Sequence, residues 1–166
     1  IAAVEKQVAN AKQQFLEQRD FALKHLPPNA VTLPAGSHDG LSAAIAEAGP
    51  GGTVLVAAGD HYESATVTIS HKVRIIGEEG AIIHSGTQHI YTLGAVQPAL
   101  HVLNTSGVLI YGLHLRADSD LGGTAILIQN APKTTVAHNA ITDFGFGIVN
   151  QHGDHSYIYK NTIVGS

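Results

Sequence analysis

Two groups of side chains in this 166-residue chain have the types and spacing to do chemistry. The first is acidic. The stretch LRADSD sets Arg116, Asp118 and Asp120 just behind an aliphatic segment, and Asp143 falls one repeat further on, near the same edge. Carboxylates so placed can hold a divalent cofactor such as Ca²⁺ through oxygen ligands. Such an ion, or an Arg, neutralises a substrate carboxylate while a base removes the proton on the adjacent carbon. That gives Arg116, Asp118, Asp120 and Asp143 as candidate catalytic residues, against the plainer reading of a solvated loop of turn formers.

The second group draws on the 11 histidines, the oddest feature of the composition. His152, Asp154 and His155 stand together in HGDH, where two imidazoles and a carboxylate are a candidate metal set. The same residues also suit a polar turn. His114 and His138 fall at outward strand positions of neighbouring repeats and could line one groove. Tyr111 and Tyr159 share one repeat position, where their rings can stack on a sugar or on each other.

The elements that must carry these residues are short and repetitive. VAHNAIT and IYKNTIV both read aliphatic-x-x-Asn-x-Ile. Aligning Ile110, Val136 and Ile158 also aligns Leu115, Ile141 and Ile163, and sets Leu113 against Asn139 and Asn161. Further upstream, Leu100, Ile126 and Ile148 align, as do Val102, Ile128 and Asn150. Several short strands per repeat with no intervening helix exclude a βαβ sheet and point to a parallel β-solenoid whose coils stack at about 4.8 Å. Asn139 and Asn161 fall at a coil corner, where an Asn bonds the turn backbone and the matching side chain one coil along. Their expected role is structural.

Before the strands, Ile1 to about Leu26 carries apolar residues at helical spacing, and Pro27 and Pro28 end that pattern. A short helix is expected over SHDGLSAAIAEAG, capped by Ser37 or Asp39 and stopped at Gly49 and Pro50. The organisation is a helical extension or connector over residues 1–30 and an all-β solenoid over 31–166. The last repeat strand, IYKNTIVGS, has no cap behind it, which predicts a fragment or self-association through an open solenoid end or the first helix.

Composition narrows the function classes. Eighteen Gly, 13% charged residues and a net charge of −4 without a Lys/Arg run exclude a nucleic-acid footprint. The absence of Cys excludes disulfides and thiolate zinc sites, and no apolar run has the length of a membrane span.

The stretch GLSAAIAEAGPGGTVLVAAGDHYESATVTISHKVRIIGEEGAIIHSG resembles the opening of right-handed parallel β-helix proteins of the pectin-lyase-like superfamily. GVLIYGLHL, VAHNAIT and IYKNTIV are similar to repeats of its NosD-like, carbohydrate-associated branch. The resemblance covers residues 31–166 and implies a β-helix with a capping helix, a polysaccharide or oligosaccharide partner and a periplasmic or secreted location. It supplies no catalytic position, because the Trp-Ile-Asp-His, paired-Asp and Gly-His-Gly motifs of its enzymes are absent. HGDH is only faintly similar to the Asp-Pro-His of alginate epimerases. The expected function is a carbohydrate-directed module of an extracytoplasmic polysaccharide-modifying protein, with lyase or epimerase chemistry on uronates. The alternative is a non-catalytic solenoid that binds glycan or metal or serves as an assembly scaffold.

Overall fold

The computed structural model describes residues 3, 6, 26–90, 95–119 and 122–165. Its architecture is an all-β parallel solenoid of about five turns with one short helix. The helical extension expected over residues 1–30 lies mostly outside the described residues.

Three parallel sheets form the walls. Sheet A runs β1 (Val31–Leu33), β2 (Gly52–Val56), β5 (Val73–Gly77), β10 (Leu109–Tyr111), β13 (Thr135–Ala137) and β16 (Tyr157–Tyr159). Sheet B runs β3 (Gly59–Glu63), β6 (Ala81–Ser85), β11 (His114–Ala117), β14 (Ala140–Thr142) and β17 (Thr162–Val164). Sheet C runs β4 (Val67–Ile69), β9 (Leu100–Leu103), β12 (Thr124–Gln129) and β15 (Phe146–Gln151). Each coil passes from A to B to C. Between β6 and β9 the B-to-C connection lengthens to carry an antiparallel pair, β7 (His89–Ile90) and β8 (Ala95–Val96).

The register is the one that the aliphatic spacing predicts. Ile110 pairs with Val136 and Val136 with Ile158, Leu115 with Ile141 and Ile141 with Ile163, and Ile126 with both Leu100 and Ile148. Alternate side chains along a strand face opposite ways, so one aliphatic per position per coil builds continuous columns inside the tube. Ile75, Ile110 and Val136 are fully buried in such a column. In the last coil, Ile158 and Ile163 are 42% and 46% exposed, because no further coil lies over them in the structure.

At the other end the core is closed by α1 (Leu41–Ala48), which lays Leu41, Ala44 and Ile45 onto it. Gly49 ends the helix at φ 71°, its N–H donating to Ile45 O, as expected. The start differs from expectation. The N-cap residue is Gly40, and neither Ser37 nor Asp39 caps the helix. Asp39 sits at φ 53° and accepts from the Ser64 N–H and hydroxyl instead, while the Ser37 hydroxyl meets His61 Nδ1 at 2.8 Å. The free Leu41 N–H donates to Glu63 Oε1, a coil away, at 2.8 Å. Capping thus comes from the tube rather than from the helix's own loop, tying α1 to β3.

The Asn corner forms as the repeat implies. Asn139 is 2% exposed; its Oδ1 accepts the Leu113 N–H at 2.9 Å, and its Nδ2 donates to Ile110 O and Asn161 Oδ1. Asn161 repeats the arrangement one coil on, accepting from the Asn139 N–H and donating to Val136 O. Each Asn thereby satisfies backbone groups that the corner removes from the ladder.

Candidate functional site

The outer face of sheet B gathers the polar side chains best placed for chemistry. Outward positions of successive coils put His38 beside Tyr62, Tyr62 beside His84, and His84 beside Arg116. The first three rings stack, with centroids 4.9 Å apart and planes 13° from parallel at both steps. This spacing is essentially the coil rise, so the backbone ladder itself sets it. Because each ring covers the next, the column presents its edges to solvent.

Carboxylates flank the column. His84 Nε2 lies 2.8 Å from Asp60 Oδ1, and Nδ1 lies 3.2 Å from Asp118 Oδ1. The imidazole is 15% exposed and the two Asp side chains are about half exposed, so one ring stands between two carboxylates from different coils. Asp118 is held further by its own N–H, which donates to Ser85 O. Hydrogen bonds from the Ser64 N–H and then its hydroxyl hold the Asp39 carboxyl below its usual range.

Two hollows follow one another where sheet B turns toward sheet C. One, of about 220 Å³, is lined by His38, Asp39, Tyr62, Ser64, His84 and Asp118. The next, of about 320 Å³, is lined by Arg116, Asp118, Ser119 and Asp143. They share Asp118 and together make a trough parallel to the solenoid axis, its Arg116 end the more polar. In it Arg116 Nε stands 3.7 Å from Asp143 Oδ2, a loose pair with both side chains more than half exposed.

Three of the four candidate catalytic residues, Arg116, Asp118 and Asp143, therefore converge on one hollow. Asp120 lies outside the described residues. Among the described residues no group of three His, Asp or Glu side chains is arranged to hold a metal ion. That includes His152, Asp154 and His155, all exposed on the turn before β16. His152 at φ 62° takes the corner position of Asn104 and Asn130, at φ 51° and 49°. His155, at φ 58°, takes that of Lys133, at φ 57°. The turn reading accounts for both histidines.

A third hollow of about 230 Å³ opens at the opposite margin of sheet B, lined by Ile82, His114, His138 and Ala140 among others. The two histidines do share a groove, but from different kinds of position. His114 is on β11, whereas His138 stands at the A-to-B corner with φ 55°. Burial first, then Arg116 and His84, pull His114 below its ordinary value of 6.5; Asp143 opposes this. His114 Nε2 lies 3.0 Å from Thr142 Oγ1. Tyr111 and Tyr159 do hold equivalent positions, with Ala137 between them in the register. The His138 ring fills the gap, edge-on to Tyr111 at 5.3 Å and to Tyr159 at 5.7 Å. These tyrosines therefore meet through an imidazole rather than forming a paired platform.

His38, Asp39, Asp60, Tyr62 and His84 are not among the site residues that the sequence suggests. The available signal is the alternation in GDHYE and AIIHS, which turns Asp60, Tyr62 and His84 outward while His61, Glu63 and Ser85 face the interior. Comparison of the chain with protein-family models, curated proteins and solved structures returned no match.

Proposed function

We propose that this chain is an extracytoplasmic, glycan-binding β-solenoid of the pectin-lyase-like kind, with the sheet B trough as its contact surface. The single observation that carries the reading is the pair of hollows in series that share Asp118, the one around Arg116 and Asp143 being the polar one. Sugars are recognised by planar polar groups that bond neighbouring hydroxyls, and by rings beside them. Arg116, Asp118, Asp60 and Asp143 supply the first, the His38–Tyr62–His84 column the second. His84 contributes by orienting the carboxylate that its ring N–H meets, which lowers the ordering cost of binding.

A catalytic reading, lyase or epimerase action on a uronate, is favoured by one feature. Arg116 stands beside Asp118 and Asp143 in an open hollow, where a guanidinium can meet a sugar carboxylate and a carboxylate can take a proton.

A polysaccharide panel with and without Ca²⁺ separates the two. Gel retardation without new reducing or unsaturated ends is the expected outcome. Unsaturated uronate ends would establish the lyase. Neither retardation nor product would remove glycans as the ligand and leave assembly as the better account.

A further inference from the structure

Resting on the glycan reading, we propose that the trough takes an extended, uncharged β-1,4-linked chain lying along the solenoid axis, with about one sugar per coil. Three observations set direction, repeat and charge.

Direction comes from shape. The two hollows are joined end to end at Asp118 and run across the strands, from the His38 coil to the Asp143 coil. On one side the wall is the outward column of sheet B. On the other it is the B-to-C connections, including Ser64, Gly86 and Ser119. A chain lying along the strands instead would have to cross the ridge of rings.

Repeat comes from the ladder. His38, Tyr62, His84 and Arg116 are consecutive rungs, and the rings are 4.9 Å apart. That is close to the rise per sugar of a flat, extended β-1,4 chain, so successive sugars meet successive rungs with little drift. Stacking inside the column leaves ring edges and polar tips as the groups offered, which suits hydroxyls rather than sugar faces. Tyr62, 38% exposed, carries its hydroxyl at the tip of an outward side chain.

Charge decides between classes of polymer. Asp39, Asp60, Asp118 and Asp143 border the trough or its ridge, and Arg116 is the one permanent cation among the residues lining it. His84 is engaged between Asp60 and Asp118. A polyuronate would bring one negative charge per sugar against these carboxylates, and like charges so juxtaposed oppose binding. Hydroxyls can donate to the same oxygens without that cost.

The test is calorimetric titration of the wild-type protein with β-1,4-linked glucose and mannose oligomers of increasing length. An oligogalacturonate series runs beside them, without divalent ions and again with Ca²⁺. Affinity is expected to rise with each sugar up to the four rungs of the ladder and then level off. The oligogalacturonates are expected to bind at least about tenfold more weakly. Affinity that stops rising at two sugars overturns the axial track. Tighter binding of oligogalacturonate overturns the uncharged class while leaving the glycan reading intact. No binding by any series removes both. In the variants, Tyr62→Phe keeps the ring column and removes only the hydroxyl. It is expected to weaken the four-sugar oligomer several-fold with unchanged thermal unfolding. Wild-type affinity in Tyr62→Phe and in Asp143→Asn together would place the ligand elsewhere.

Discussion

The A-to-B corner and the outer face of sheet B each carry a ladder of polar side chains, and the ladders do opposite work. At the corner, Asn139 and Asn161 spend most of their bonds on backbone groups. On the outer face, Asp60, His84 and Asp118 point outward and meet one another side chain to side chain. The first ladder repairs what a corner does to the chain. The second is independent of the tube's integrity, and its groups face solvent. A polar column across coils is therefore structural where its partners are main chain. It is a candidate contact surface where its partners are side chains.

The contrast can be broken most directly at Asn139. Asn139→Ala leaves the Leu113 N–H and the Ile110 carbonyl buried without that partner, and about 2–4 kcal/mol of stability should be lost in chemical denaturation. A loss below about 0.5 kcal/mol would mean that the corner does not need its Asn.

Glu63 gives the next effect. Glu63→Ala removes the acceptor for the Leu41 N–H at the start of α1 and should cost about 1 kcal/mol. Burial holds the Glu63 carboxyl above its ordinary 4.5. The folded protein thus binds this proton more tightly than the unfolded chain does. Its contribution is full below 4.5 and is lost as pH rises through the higher folded value. Glu63→Gln keeps the oxygen and drops the charge, so its melting temperature should match or exceed wild type at pH 7, the difference closing below 4.5.

His114 gives a smaller effect of opposite pH sense. Its folded pKa is depressed, so its stabilisation is present above 6.5 and falls away as pH drops through its folded pKa. His114→Asn should flatten the wild-type decline in melting temperature on acidification from pH 7; parallel curves would clear His114 of it. The smallest change is expected in the trough itself. Arg116→Ala and Asp143→Asn should alter stability by less than about 0.5 kcal/mol. If either costs as much as Asn139→Ala, the outer ladder is part of the scaffold after all.

The sequence carried one side of this contrast better than the other. An inward position must be aliphatic in nearly every coil, so Ile110, Val136 and Ile158 announce the register by type alone. Asn139 and Asn161 are legible for the same reason, since one corner makes one demand. Outward positions carry no such constraint. His38, Tyr62, His84 and Arg116 differ in type, and the β7–β8 insertion between β6 and β9 interrupts their spacing. Arg116, Asp118 and Asp143 were found because they lie after that interruption, where the aliphatic positions of successive coils align directly. The histidines of HGDH were ambiguous in sequence because left-handed corners accept His as well as Asn, so a turn there has the composition of a ligand set.

The ring column also makes the molecule its own optical probe. With five Tyr and no Trp, ultraviolet emission comes from tyrosine alone. Tyr62 sits between two imidazoles at 4.9 Å, where a change in either neighbour alters the decay of its excited state. The share of the emission that comes from this residue should dim or brighten as the column is covered, so occupancy of the trough can be followed with no label attached.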